Sequence, residues 1–512
     1  MAATATHVSY AVGALPLETQ LFIGGKYVDT KSGIKFDTID PATEEVIATM
    51  HGAGKEDIDD AVAAATSAFE ITKRMSGSER RNCLLKLADL IEKHRAQIAE
   101  IESRDNGKPR HIADTVDIMY VIECFRYYAG WADKVGGKVL MPTHNSHSTF
   151  AYTTHEPVGV CGQIIPWNFP LLMAAWKLGP ALAMGCTTVL KLSEKTPLSM
   201  LMLGHLFNEA GFPAGTVNIV NGYGNPTGDL IARHPGIRKV AFTGSSFVGH
   251  KIVTASAETN LKKVSLELGG KSALIVCKDA DLDEAATAAH VGLFLNMGQC
   301  CVASSRIFVD EEIAEAFTAK VVALAKTLRQ GASEGHGDGA IDLSLPTAVP
   351  ICDLGPQVDK IQFDKILGFI EVGKAEGATC VLGGSRVGTK GYFVAPTIFT
   401  GVTDTMTICK EEIFGPVMQV LTFKDNNEAI RRANSSVYGL AAGICTRDVG
   451  NALAMAKELE AGSIWINCYN NFDMACPFGG YKESGWGRDK GEYALENYTE
   501  VKCVMIPIAI QK

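Results

Sequence analysis

No two of the 14 cysteines in this 512-residue chain stand in a C-x-x-C spacing. Neither a zinc ribbon nor a thioredoxin-type redox site is therefore written in it. In a chain of this size, scattered cysteines read as reduced thiols in a reducing compartment. Basic clusters are missing as well. Lys and Arg are dispersed and the net charge is −9, which argues against sequence-independent nucleic-acid binding and against polybasic attachment to a membrane. Residues 1–25 hold no Lys or Arg, so neither an Arg-rich organelle leader nor the basic start of a secretory signal is expected, and the chain reads as cytoplasmic. The long uncharged run at 158–176 only imitates a membrane span, because Gln163, Pro166, Asn168 and Pro170 would each be costly in lipid. A buried strand, a turn and a helix start account for it better.

What is present is ordinary globular composition, 46% hydrophobic and 21% charged, in a chain too long for one core. Residues 55–106 read as helix, opening at Asp57-Ile58-Asp59-Asp60 and again at Ser78-Glu79-Arg80. Short apolar runs follow at 159–165, 188–192, 216–220 and 239–242, and again at 272–276, 306–309, 417–423 and 463–466. Each precedes a polar turn or a helix start, which is the rhythm of parallel sheets with helical crossovers. Two α/β domains in series are expected. Segments 148–154 and 501–510 are strand-like without a crossover, and Pro507 puts the latter near an edge. They read as an oligomerisation arm, pairing with each other or with a neighbouring subunit, the alternative being a frayed tail. The Gly-, Ser- and Asp-rich stretch 331–354 has no periodicity and reads as a surface excursion, the alternative being an unusual splice form.

Several runs carry chemistry. Glu267, in Ser265-Leu266-Glu267-Leu268-Gly269-Gly270-Lys271, is a candidate base. Gly298-Gln299-Cys300-Cys301 offers a thiol nucleophile, although a lone adjacent cysteine pair is more often plain core. In Pro166-Trp167-Asn168-Phe169-Pro170 the prolines fix the backbone, so Asn168 is either an oxyanion donor or a helix cap. Lys191 and Glu194 follow a strand, where a carboxylate can accept both hydroxyls of an adenosine ribose and would repel a 2′-phosphate. The run from Phe242 through Gly244 and Ser245 to Gly249 also follows a strand and could let a helix N-terminus approach a pyrophosphate, but it lacks the G-x-G-x-x-G fingerprint. Glu412-Ile413-Phe414-Gly415-Pro416 could hold a nicotinamide ribose and ring, or simply end a helix.

Taken in order, these runs resemble the NAD-dependent aldehyde dehydrogenases of the class 1/class 2 type, from Leu21-Phe22-Ile23 to Tyr498-Thr499-Glu500-Val501-Lys502. The resemblance implies an aldehyde dehydrogenase-like α/β fold with a Rossmann-like NAD domain at 8–138 and 158–268, a catalytic domain at 269–482, and a β-ribbon arm at 139–157 and 483–512. It implies Cys301 rather than Cys300 as nucleophile, Glu267 as general base and Asn168 as oxyanion donor. NAD contacts fall on Trp167, Lys191, Glu194, Gly224, Phe242, Gly244, Ser245, Gly249, Glu412 and Phe414. Phe169, Met173, Trp176, Phe472 and Phe478 match the substrate tunnel. No metal is implied, and a homotetramer built from arm-mediated dimers is.

The chain departs from the family pattern in the 331–354 stretch, in the proline shifted within Gly224-Asn225-Pro226-Thr227-Gly228, and in Asp489, where many relatives carry glutamate in a proton relay with Lys177. The implied reaction oxidises an aldehyde to the acid through a cysteine thiohemiacetal and a thioester that Glu267 helps to hydrolyse. A CoA-acylating relative would not need Glu267. A crystallin-like structural protein would be expected to lose the cysteine or the base. The neighbours Cys300 and Val302, with Phe472-Asp473-Met474, resemble plant-type relatives that accept aromatic aldehydes.

Overall fold

The structure, a computed structural model, describes residues 14–144, 146–332 and 352–508. An eight-stranded sheet has five parallel inner strands in the order Val217–Val220, Thr187–Lys191, Val160–Ile164, Lys239–Thr243 and Lys263–Glu267. The antiparallel pair Leu21–Ile23 and Lys26–Val28 borders one edge, and the short strand Gly485–Trp486 borders the other. Helices cover both faces. Val160, Val189 and Val240 pack with Ile58 and Ala61 on one side, while Cys161, Leu190 and Ile219 pack in the core that holds Leu87 and Leu178. Strands buried on two faces need continuous rather than alternating apolar sequence, which is why these runs are legible.

A second sheet of seven strands runs Thr379–Leu382, Thr397–Thr400, Val417–Phe423, Arg306–Asp310, Ala273–Val276, Ala441–Cys445 and Ser463–Ile466. Only the first is antiparallel to its neighbour. The expected helix over 55–106 is three helices, Lys55–Thr72, Gly77–Lys93 and Arg95–Asn106. The second starts earlier than expected because Ser76 caps it and Glu79 reaches back to the Ser76 N–H at 2.7 Å.

The two strand-like segments without crossovers pair with each other. Thr499–Pro507 lies antiparallel to Thr149–Pro157, in register from Thr499 opposite Pro157 to Pro507 opposite Thr149. Val139–Leu140 takes the other side of Thr149–Pro157, so Pro507 sits on an edge strand, where its missing N–H costs no ladder bond. Residues 509–510 of the expected strand lie outside the described residues. Of the expected excursion at 331–354, the ends are pinned together by Gly331 N–H to the Leu354 carbonyl at 3.1 Å and by an Arg329–Asp353 ion pair, and 333–351 lie outside the described residues. Among the described residues no helix is long and apolar enough to cross a membrane.

Candidate active site

The first sheet has a topological switch point. From Val160–Ile164 the strand order runs outward through Thr187–Lys191 to Val217–Val220, then resumes on the other side with Lys239–Thr243. Ligands of open α/β sheets bind beyond the carboxyl ends of strands at such a point. Here a cavity of about 410 Å³ extends from those ends toward the second sheet.

Cys301 is half-buried in its wall, and Cys300 also touches the cavity. The backbone leading to them is strained. Asn296 (φ 52°) and Met297 (φ 58°) are both left-handed, a conformation costing on the order of 1–3 kcal/mol per non-glycine residue. Gly298 follows at φ 72°, and a Cβ there would lie 2.3 Å from the carbonyl carbon of Gly415, so only glycine fits. The hydrogen-bonding neighbour Cys300, then burial, hold the Cys301 thiol well above its ordinary range. A nucleophilic role for this thiol would therefore need a group that favours the thiolate.

Asn168 lines the same cavity. Its Nδ2 donates to the Gln299 carbonyl at 2.9 Å, and its own carbonyl accepts from Asn296 Nδ2 at 2.9 Å and Lys108 Nζ at 3.1 Å. An amide nitrogen has two N–H groups, so one remains for an oxyanion. Asn168 makes no side-chain cap on the helix Pro170–Ala183. Glu267 is the last residue of its strand and 3% exposed, and its Oε2 has no hydrogen-bond partner. It stands just behind the cavity wall, which its neighbours Leu268 and Gly269 form. Burial, then the charge of Asp489, pushes its carboxyl well above the usual range, against the pull of Lys177. Lys177 and Asp489 pair at 2.8 Å in the interior.

On the strand-end side, Trp167, Gly244, Ser245, Glu412 and Phe414 line the cavity, with Trp167 and Phe414 edge-on at 5.2 Å. Glu412 accepts from the Gly270 N–H at 2.9 Å, and a Cβ on Gly269 would lie 2.6 Å from its Oε2. Ser245 caps the helix Ser246–Glu258, whose first N–H groups open toward this end. Lys191 Nζ lies 3.7 Å from Glu194 at the end of its strand. Neither residue lines the cavity, nor do Gly224, Phe242 or Gly249. The Phe242 ring is buried beneath Gly244, Gly249 packs against Leu268, and Gly224 faces open space.

The apolar end gathers Phe169, Met173, Trp176, Phe472 and Phe478. Trp176 packs tilted against Phe478 at 5.2 Å and edge-on to Phe472 at 6.2 Å. All five expected tunnel residues thus meet in one wall, from segments some 300 residues apart.

The aldehyde dehydrogenase family model matches residues 27–504. The chain belongs to the aldehyde dehydrogenase family. It is 51% identical over 492 residues to the mitochondrial aldehyde dehydrogenase of Mesocricetus auratus, covering 96% of this chain and 95% of that one. It is 49% identical to the mitochondrial benzaldehyde dehydrogenase of Antirrhinum majus, covering 95% and 88%. Among solved structures it is similar to an NAD+ complex of the aldehyde dehydrogenase from Bacillus cereus, with a TM-score of 0.92, 48% identity and coverage of 98% and 100%.

Several residues in this family member's cavity escaped the sequence reading. Gln362 and Lys365 stand three apart on one face of the helix Lys360–Ala375, Gln362 donating to the Phe414 carbonyl at 2.8 Å and Lys365 to that of Glu412 at 3.2 Å. The i, i+3 spacing was the available signal. Val116 comes from the π-helical turn Ala113–Ile118, and Thr243 carries a buried hydroxyl without a partner. Val116 belongs to no motif, whereas Thr243 lies within the Phe242–Gly249 run, where its hydroxyl had no distinguishing signal.

Proposed function

We propose that this protein oxidises an aldehyde to its carboxylic acid with NAD+ and water. The observation that carries this reading is one cavity holding a thiol and a fixed amide donor, with a buried carboxyl directly behind its wall.

The strand-end side fits a dinucleotide. Thr243 leaves a buried hydroxyl unpartnered beside an open helix N-terminus, and Glu412 and Phe414 face it. Trp167, Gly244, Ser245, Glu412 and Phe414 would hold the cofactor, with Lys191 and Glu194 at the adenosine ribose and Gly224, Phe242 and Gly249 shaping the floor. When bound, NAD+ supplies the hydride acceptor that turns the cysteine adduct into a thioester.

The chain's own residues do the rest. Cys301 Sγ adds to the carbonyl carbon while the free Asn168 N–H stabilises the developing oxyanion. Glu267 then takes a proton from water as its oxygen adds to the thioester carbon, and the Cys301–acyl bond breaks to release the acid. Burial makes Glu267 a stronger base once ionised, and the buried Asp489–Lys177 pair acts on it by charge, Asp489 raising its carboxyl and Lys177 opposing that. Phe169, Met173, Trp176, Phe472 and Phe478 suit an apolar aldehyde. CoA acylation has no use for Glu267, and a structural role has none for the strained cysteine segment.

In the same reading residues 8–138 and 158–268 form the NAD domain, 269–482 the catalytic domain, and 139–157 with 483–512 the arm; 8–13 lie outside the described residues. Exposed Val501, Met505 and Ile506 on the edge strand favour a homotetramer through the arm. Free cysteines throughout favour a reducing compartment, in our reading the cytosol. NADH production monitored by absorbance with a panel of aldehydes tests the activity. No NADH with any of them would overturn it.

A further inference from the structure

Lys490 is 2% exposed, and its ammonium sits against three rings of the tunnel wall: 4.7 Å from the Phe472 centroid, 5.0 Å from Trp176 and 5.8 Å from Phe478. These rings touch one another, so they form an aromatic cage around a cation supplied by the chain itself. Such cages are the usual means of binding an ammonium ligand. Here the place is taken from behind.

The backbone shows that this placement is built. Lys490 is left-handed (φ 59°), a conformation that persists in a non-glycine residue only when its surroundings enforce it. The flanking hydrogen bonds do so. Phe478 and Asp489 exchange N–H to carbonyl bonds at 2.7 and 2.8 Å, Gly491 N–H donates to the Met474 carbonyl at 2.9 Å, and Lys490 Nζ reaches the Asp473 carbonyl at 3.3 Å. Lys490 does not line the cavity. Its influence on a ligand passes through the rings and through its charge.

We propose that Lys490 is a specificity-determining residue: its ammonium occupies the aromatic cage of the tunnel, fixes the three rings for neutral, apolar or aryl aldehydes, and excludes aldehydes that carry an ammonium group. A second cation on the opposite ring faces finds the quadrupoles already engaged and meets like-charge repulsion in a site of low polarity. This rests on the aldehyde-oxidising reading above.

The test uses a pair of substrates equal in shape and different in charge, 4,4-dimethylpentanal and 3-(trimethylammonio)propionaldehyde, compared by kcat/KM at pH 7, below the value of about 8 to which burial lowers Lys490. The full-length wild-type enzyme should prefer the neutral member on the order of tenfold or more. Lys490→Met should collapse that ratio, chiefly through KM, and Lys490→Arg should restore it. Packing damage alone would lower both substrates together and leave the ratio unchanged, which would overturn the proposal. So would a wild-type enzyme that takes both equally, a result that stands even if Lys490→Met fails to fold. No turnover of any aldehyde would instead overturn the activity on which the proposal rests.

Discussion

The Asn168 side chain is tied to the carbonyl of Gln299, 2.9 Å away and two residues before Cys301. In the proposed mechanism this registers the oxyanion donor to the segment that carries the nucleophile rather than to the helix Pro170–Ala183 that follows it. Asn168→Ala removes both the donor and this tie. Loss of one oxyanion donor typically costs 10²–10³-fold in kcat, about 3–4 kcal/mol. The variant should fall by about that factor while NAD binding, followed by quenching of tryptophan fluorescence, stays close to wild type.

Cys301→Ala should abolish turnover and keep NAD affinity, since the thiol serves the aldehyde and not the cofactor. Cys300→Ala should keep most activity. Because both thiols touch the cavity, the comparison decides the register. A dead Cys300 variant beside an active Cys301 variant would reverse the assignment.

As the proposed general base, Glu267 should set the pH dependence. Burial and the charge of Asp489 raise its carboxyl, so it stays protonated at pH values where an ordinary glutamate is ionised. The basic form appears only as the pH rises through that raised value, so thioester hydrolysis should accelerate with increasing pH. Glu267→Gln should slow steady-state turnover by roughly 10²–10⁴-fold and flatten this rise. If the base acts only on water, a rapid first burst of NADH survives and acyl-enzyme accumulates, detectable by mass spectrometry. If it also deprotonates Cys301, the burst itself slows and recovers partly at higher pH. Undiminished acid formation by Glu267→Gln would refute both.

Glu194 should make the enzyme prefer NAD over NADP. Its carboxylate, 30% exposed and held near Lys191, would lose hydroxyl hydrogen bonds and face a phosphate, a penalty on the order of 1–3 kcal/mol. Glu194→Gln should narrow the kcat/KM gap between the cofactors. Equal use of both by the wild type would remove the assignment.

What the sequence made legible follows from locality. The eight apolar runs are strands whose ends agree with the expected ones to within one residue, because strands buried on both faces are written as continuous Val, Ile and Leu. Among the strands not foreseen are Thr379–Leu382, Thr397–Thr400, Lys263–Glu267 and Ala441–Cys445. Of the last two, the first begins and ends in charge, and the second is mostly small residues. Only their place between paired neighbours makes them strands. The site divides in the same way. Asn168, Glu267, Cys301 and Glu412 sit in short runs whose glycines and prolines announce a special backbone. Lys108, Lys365 and Lys490 read in sequence as ordinary solvated lysines, and Lys108 and Lys490 are buried only because segments far apart converge on them.

Glu267 ends a strand of the first sheet, whereas Cys301 stands on the approach to Arg306–Asp310 of the second. Between them the chain crosses from one sheet to the other through Gly269 and Gly270, clasped there by the Glu412 carboxylate. The proposed reaction centre is thus a seam, and its accuracy depends on two cores keeping step. A slip of about 1 Å along that seam is enough to cost on the order of 10²-fold in rate while neither core loses its packing. Under gentle heating or dilute denaturant this protein should fall silent before it melts.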